Sequence, residues 1–178
     1  MRYLGLGLTL VGVILASTTA QAADLTGKLG VNYTVGPSFV IGGSGADDAS
    51  RVGPQVGAGV EYGLTRNLAA TFAYDDHENG LRTQSLTFGA TFRPEPYMGM
   101  LPFFNAGLGF GHRYSGDGWD HFAMKLTGGL EHYFTDNVSM ATLLSYSYIP
   151  GSRDSNGIGD VHIIEPGVRM NFYFGPFK

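Results

Sequence analysis

Alternation of apolar and polar residues with a period of two recurs about eight times in this chain and limits the folds open to it. Because successive side chains of a β-strand point to opposite faces, each such segment has one apolar and one polar face. The first segment has Leu25, Leu29, Val31, Tyr33 and Val35 on one face and Lys28, Asn32 and Thr34 on the other. The pattern predicts strands at 25–35, 52–62, 68–75, 83–92, 102–113, 121–133, 138–148 and 161–174. Since Gly disfavours helices and the chain has 28 glycines, we predict an all-β protein.

The first 22 residues have the three-part pattern of a cleaved export signal. Arg2 precedes an apolar run over 3–16, and the small residues Ala20 and Ala22 follow. This order is typical of a secretory signal peptide. An apolar run of about 14 residues is also too short for a membrane helix, which needs about 20. We therefore predict a signal peptide at 1–22 and one barrel domain at 23–178.

The rest of the chain predicts a barrel that crosses a membrane. No later apolar run reaches the length of a membrane helix, and a closed barrel is the other structure that satisfies its backbone polar groups in lipid. A soluble barrel would carry many Lys and Glu on its polar face. Here that face is mostly Gly, Ser, Thr, Asn and Ala, while aromatic residues such as Tyr62, Phe104 and Phe174 gather near strand ends on the other. We predict an eight-stranded antiparallel up-and-down transmembrane β-barrel.

The connections between the predicted strands differ in length. Those at 63–67, 93–100 and 135–137 are mostly short, whereas those at 36–51 and 149–160 are long and rich in Gly, Ser and Asp. Outer-membrane barrels have short periplasmic turns and longer outer loops. We therefore expect both termini in the periplasm.

Charge and composition exclude several function classes. Removing 1–22 takes away Arg2, so 10 Lys+Arg remain against 15 Asp+Glu, a net charge of −5. A nucleic-acid partner would require a basic patch, so we expect none. The chain has no Cys, which excludes disulfides and thiolate metal sites. The glycines of 105–111 recur with period two inside a strand and open no helix, so the dinucleotide fingerprint fails and no cofactor is expected.

On these residues the chain resembles the OmpA/OmpX-type family of small eight-stranded outer-membrane barrels, over essentially all of 23–178. The last strand, Val168 to Phe174, resembles the C-terminal signal by which the barrel-assembly machinery recognises its clients. In that family the terminal residue is commonly Phe, whereas here 175–178 follow the strand. The resemblance implies outer-membrane location and the assembly machinery as a partner.

Six ionisable residues are predicted to point into the lumen and their charges sum to zero. Four are expected near the periplasmic end and two higher, so that each tier is neutral. An eight-stranded barrel is only just wide enough inside for side chains, so we interpret the set as a salt-bridged plug, which resembles the interior network of the OmpA-type barrel. An ion path, and hence a small-solute channel, is the alternative. The lower tier is Lys28, Glu61, Glu131 and Arg169, and the upper tier is Lys125 and Glu165.

A lipid A-modifying enzyme is the second alternative. His112, His121 and His162 are predicted near the outer mouth, where Ser115, Asp117 and Asp120 could complete a Ser–His–acid set. The lipid A deacylase family pairs its His and Ser two residues apart on one strand, whereas the comparable stretch here is Ser145-Tyr146-Ser147. We therefore expect no enzymatic activity.

A metal site is also considered and set aside. Asp75, Asp76, His77 and Glu78 are adjacent oxygen and nitrogen donors. We interpret this cluster as the solvated tip of an exposed loop, and no metal is expected.

The predicted function lies in the outer loops. The acidic, glycine-rich segment 42–50 is a candidate binding loop. Trp119 is interpreted as an interfacial anchor, with a contact residue as the alternative. We predict a monomeric, non-enzymatic outer-membrane barrel that acts as a surface or envelope-stability protein through its loops and its contact with lipopolysaccharide.

Overall fold

The chain forms a closed eight-stranded antiparallel barrel. The computed structural model describes residues 24–42, 52–78, 82–113, 121–150 and 160–176. Each strand pairs with its neighbours in the chain, and β1 also pairs with β8, which closes the sheet and confirms the predicted topology. No helix in these ranges is long and apolar enough to cross a membrane. The strands are β1 (Leu29–Gly42), β2 (Val52–Gly63), β3 (Leu68–Glu78), β4 (Arg82–Phe92), β5 (Leu101–Arg113), β6 (His121–Thr135), β7 (Val138–Ile149) and β8 (Val161–Phe174).

The two ends of the barrel are built differently. Connections 64–67, 93–100 and 136–137 lie at one end, with the start of β1 and the finish of β8, and we call it the turn end. The opposite end, which we call the loop end, carries the connections that contain residues 43–51, 79–81, 114–120 and 151–159. Those four segments lie outside the described residues, as does the predicted signal peptide.

The first strand differs from its predicted range of 25–35, since it begins at Leu29 and continues to Gly42. Residues before it form a turn in which the Lys28 amide donates to the Leu25 carbonyl (2.9 Å) and Gly27 has a φ of 73°. Glycine adopts a positive φ readily, and this conformation interrupts an extended strand. Leu25 is therefore buried at the turn end and does not lie on the outer face. Residues 36–39, predicted as loop, pair with β2.

The third strand is longer than its predicted range of 68–75, since it runs to Glu78. Asp75, Asp76 and His77 all pair with residues of both β2 and β4, and each is less than a tenth exposed. The interpretation of this cluster as a solvated loop tip is therefore wrong. Charge does not indicate exposure here, because a barrel with a polar interior can bury charged side chains.

The outer surface is apolar and the interior is polar. Tyr33, Phe88 and Phe104 are each more than half exposed, whereas inward-facing residues such as Gln55, Thr91 and Ser145 are almost completely buried. A water-soluble protein rarely exposes a continuous apolar surface of this kind. The arrangement is that of a barrel whose outer wall faces lipid.

Candidate functional site: the polar lumen

The described part of the lumen contains two apolar layers and two charged clusters. Leu25, Leu101, Tyr133 and Tyr173 form an apolar layer at the turn end, and Phe103, Ala141 and Leu143 form a second one further in. Two clusters of charged side chains lie in the same interior. We call Arg93, Glu61 and Glu131 the turn-end cluster, and Lys125, Asp75, Glu165 and His77 the loop-end cluster. Ile149 and Ile163 are fully buried beyond the loop-end cluster.

The turn-end cluster is built around one arginine. Arg93, the first residue after β4, donates from Nη2 to Glu61 Oε1 (2.8 Å) and Oε2 (3.0 Å), and from Nε to Glu131 Oε2 (3.1 Å). The three side chains are 3%, 4% and 1% exposed. Buried charges are stable only when they are paired and hydrogen-bonded. Arg93 therefore holds β2, β6 and the turn after β4 together.

Neutral donors complete the shell of Glu131. Its Oε1 accepts from Asn171 Nδ2 (2.9 Å), from the Tyr173 hydroxyl (2.8 Å) and from the Ser139 hydroxyl. The Tyr173 hydroxyl also accepts from Arg93 Nη2 (3.3 Å). Glu61 and Glu131 thus share one guanidinium. Residues of β7 and β8 provide the additional hydrogen bonds that the buried Glu131 carboxylate needs.

The loop-end cluster is built around one lysine. Lys125 Nζ lies 2.8 Å from Asp75 Oδ1 and 2.9 Å from Glu165 Oε2. Gln55 Nε2 donates to Asp75 Oδ1 (3.0 Å), and the Ser147 hydroxyl donates to Glu165 Oε1 (2.6 Å). His77, fully buried, has Nε2 at 3.7 Å from Glu165 Oε1. This cluster joins β3, β6 and β8 across the lumen.

The six residues predicted for the lumen do not all lie in these clusters. Glu61 and Glu131 belong to the turn-end cluster, and Lys125 and Glu165 to the loop-end cluster. Lys28 lies instead at the rim, where Nζ donates to the Asp136 carbonyl (3.0 Å). It precedes β1, because the chain turns before the strand begins.

Arg169 lies between the two clusters. Its Nε donates to Thr34 Oγ1 (3.3 Å), and its guanidinium lies 5.3 Å from the centre of the Phe103 ring. A guanidinium over an aromatic face is stabilised by the ring's negative face. Arg169 therefore faces the lumen, and Arg93 is the cation of the turn-end cluster, in which Lys28 and Arg169 were expected.

Sequence reasoning missed Arg93, Asp75 and His77. Arg93 was assigned to a connection, although the inward parity of β4 continues through Thr91 to Arg93 and could have revealed it. The interpretation of 75–78 as a loop tip conceals Asp75 and His77, although Asp75 ends the predicted strand 68–75 and both residues continue the inward parity of Ala69 on β3. For Arg93 and His77 the alternation extends beyond the predicted strands, which end at 92 and 75.

The charges of the lumen do not balance tier by tier. Each cluster has two carboxylates and one cation when His77 is counted as neutral, and Arg169 adds one positive charge between them. Among the side chains that the structure describes, three cations against four carboxylates leave a net charge of −1. A proton on His77 would bring the total to zero.

The space left between the clusters is small. A cavity of about 20 Å³ is lined by polar side chains that include Thr34, Asn105, Lys125 and Arg169. A water molecule needs about 10–15 Å³ of such volume. The cavity therefore has room for roughly one water.

The two catalytic candidates at the mouth whose side chains are described, His112 and His162, lie on different parts of the barrel wall. His112 and His162 are on β5 and β8, which are separated by β6 and β7, and His162 Nδ1 lies 2.7 Å from the Tyr146 hydroxyl. Ser145 and Ser147 are buried in the lumen. Ser115, Asp117, Trp119, Asp120 and loop residues 43–50 lie outside the described residues, as does the side chain of His121.

The described part of the chain contains no group of three or more His, Asp or Glu residues arranged to hold a metal. On β3, Asp75 and His77 face the lumen. Asp76 lies on the outer face, where its Oδ2 accepts a hydrogen bond from Arg82 Nη2 (2.6 Å). Neighbours in sequence thus lie on opposite faces of the strand. The adjacent donors considered above consequently do not converge.

The sequence matches no protein-family model and no curated protein. The structure is similar to those of small outer-membrane barrels. Neisserial surface protein A has a TM-score of 0.67 at 16% identity, over 84% of this chain and 98% of that one. The N-terminal barrel domain of Pseudomonas aeruginosa OprF gives 0.55 at 16%, over 83% and 98%. Ail, the attachment invasion locus protein of Yersinia pestis, gives 0.52 at 14%, over 83% and 99%. The predicted fold, that of the OmpA/OmpX-type barrels, is confirmed.

Proposed function

We propose that this chain is a non-enzymatic integral outer-membrane barrel with a closed lumen, which displays its loops at the cell surface and stabilises the envelope. The observation that carries the proposal is the pair of buried ion clusters, each linking several strands across the lumen. Such clusters occupy the space that a conducting pore would need. Binding would therefore be left to the loop end, on a rigid scaffold.

Location and orientation are part of the proposal. The apolar outer wall and the shared fold support a place in the outer membrane. Short connections at the turn end favour a periplasmic turn end, with both termini there. We also propose a signal peptide at 1–22 and recognition of β8 by the barrel-assembly machinery. We further propose that the protein is a monomer and contacts lipopolysaccharide.

Relatives of the fold provide a precedent for ligand binding. Ail has also been crystallised with the heparin analogue sucrose octasulfate, and that structure matches this chain with a TM-score of 0.51. This is a property of Ail. For the present chain it supports only the idea that a barrel of this size can bind a ligand, and we propose the loop end as the place to look.

Planar-bilayer recording of the protein purified from outer membranes tests the closed lumen. We expect no steady conductance from the wild type and more frequent openings from Lys125→Met and Glu165→Gln, which break the loop-end cluster. Lys28→Met is the matched control, because Lys28 contacts the rim, and it should behave as the wild type. A steady, ion-selective conductance of the wild type would identify a small-solute channel instead.

The enzymatic alternative has a separate test. Lipid A extracted from cells with and without the protein should have the same mass profile. A mass shift that disappears on replacing His112, His121 or His162 would establish a lipid A-modifying enzyme and contradict the proposal.

A further inference from the structure

The outer wall carries an apolar groove of about 780 Å³ that crosses five strands from β4 to β8. Two neighbouring rungs of the sheet form it. One rung is Ala90, Ala106, Leu126, Tyr146 and Ile164, and the other is Phe92, Phe104, Gly128 and Leu144. The small residues Ala90, Ala106 and Gly128 form the floor, and the larger side chains form the walls. The volume lies within the usual range of ligand sites, about 300–1,000 Å³.

Gly128 leaves space in the groove that the barrel itself does not require. A Cβ added there would be 3.7 Å from Phe104 Cδ1, an ordinary van der Waals distance. A Cβ on the adjacent Gly129 would overlap the Thr142 carbonyl oxygen and approach the Phe103 ring to 2.7 Å. Packing therefore accounts for Gly129 but not for Gly128. The missing side chain at 128 opens the groove without relieving a clash.

The groove has the length and direction of a lipid chain. Four inter-strand steps of about 4.8 Å give a length of about 19 Å, and half the hydrocarbon core of a bilayer is about 15 Å. Its ends are at different heights, since Ala90 is two residues from the turn end of β4 and Ile164 three residues from the loop end of β8. An extended chain in the groove would thus run obliquely through the membrane.

A polar pair marks the end of the groove nearest the loop end. The Tyr146 hydroxyl lies 2.7 Å from His162 Nδ1, on the outer surface of the barrel. Tyr148, two residues further along β7, has its ring 5.0 Å from that of His162. Tyrosine rings are typical of the membrane–water interface. The groove therefore runs from the interfacial level into the hydrocarbon region.

We propose that this groove binds one acyl chain of an outer-leaflet lipid, with the headgroup beside Tyr146 and His162. The inference rests on the proposed membrane location and orientation. Apolar tails gain no hydrophobic free energy by leaving lipid for protein, so selective occupancy must come from close van der Waals packing. An unoccupied groove would forfeit those contacts along its floor and walls, and an unbranched chain fits the floor of Ala90, Ala106 and Gly128.

Photo-crosslinking tests the proposal. The full-length protein is reconstituted in phospholipid vesicles that contain a trace of phosphatidylethanolamine with a diazirine in one acyl chain, and adducts are mapped by mass spectrometry. We expect adducts concentrated on Phe104, Leu126 and Leu144. Gly128→Leu, which fills the groove, should reduce them about tenfold through the loss of about ten carbon contacts. Ala58→Leu, on the exposed opposite wall, is the matched control and should leave them unchanged.

Each other outcome contradicts the acyl-chain site. Adducts spread evenly around the barrel would indicate ordinary boundary lipid. A protein–protein crosslink at the same residues would indicate that a second copy covers the groove. If Gly128→Leu does not fold, Ala106→Leu fills the groove from β5 and gives the same test. A conductance of the wild type would contradict the proposed closed lumen but would not change the crosslinking result. The two proposals can therefore be refuted independently.

Discussion

Removing the Arg93 guanidinium should destabilise the barrel by several kcal/mol. In Arg93→Met, Glu61 and Glu131 remain at 4% and 1% exposure without their cation. Removing one partner of a buried pair costs about 3–5 kcal/mol. A second estimate comes from neutralisation. Protonating one of the two glutamates at pH 7 costs about 3.7 kcal/mol, because the reference pKa of a glutamate in water is about 4.3. Both estimates agree, and we expect a loss of about 3–4 kcal/mol.

The stability loss of Arg93→Met should depend on pH with a definite sign and size. The folded variant would hold a proton that its unfolded chain has released at pH 7, so its stability relative to wild type rises as the pH falls. At pH 5 neutralisation costs only about 1 kcal/mol. The free-energy difference between variant and wild type should therefore shrink from about 3–4 to about 1 kcal/mol between pH 7 and pH 5.

The assay is reversible urea unfolding of the protein in phospholipid vesicles, followed by circular dichroism at both pH values. Arg66→Met, in the exposed turn 64–67, is the matched control and should cost less than about 0.5 kcal/mol. The double variant Arg93→Met/Glu61→Gln should be more stable than Arg93→Met alone, because it leaves one fewer carboxylate without a cation. A loss for Arg93→Met within about 0.5 kcal/mol of zero, or independent of pH, would refute the reasoning.

Two further predictions concern the loop-end cluster and the wall. Lys125→Met leaves Asp75 and Glu165 without their shared ammonium, so urea unfolding should show a loss of about 3–5 kcal/mol; a change below about 1 kcal/mol would contradict this. Gly129→Ala places a methyl group against a carbonyl oxygen of β7 and should cost about 1–3 kcal/mol, whereas Gly128→Ala meets only ordinary contacts and should cost less than about 0.5 kcal/mol. Equal losses for the two would show that the wall relaxes around either methyl group.

The sequence alone was sufficient for the number of strands and their antiparallel order, because the period-two pattern carries that information directly. Strand ends were less predictable. Gly36 and Pro37 are weak strand formers, and they disguised the second half of β1, which pairs with Gly53 to Gln55 of β2. The turn at Gly27 moved Leu25 from the outer face into the barrel, and nothing in the alternation signals that change of direction.

The lumen was predictable where charged residues lay inside clear strands, as Glu131 and Lys125 do. It was not predictable where contacts depend on barrel closure. Arg93 reaches Glu61 of β2 and Glu131 of β6 across the lumen, because closure of the barrel brings strands that are distant in the chain to face one another. Arg93 is 32 positions from Glu61 and 38 from Glu131. Contacts between residues so far apart depend on register and shear, which alternation does not encode.

A single cysteine in the lumen tests the central claim, that the lumen is filled, most directly. The chain has no native Cys, and Ser145, 1% exposed, lies against Thr127 on the lumen side, with the two hydroxyl oxygens 2.9 Å apart. We would measure labelling of Ser145→Cys in vesicles by a charged, water-soluble maleimide, with Thr65→Cys in an exposed turn as the control. We predict that the control labels fully while Ser145→Cys stays unlabelled. Labelling of Ser145→Cys at a rate close to that of the control would show that solutes enter the lumen, and would contradict the account.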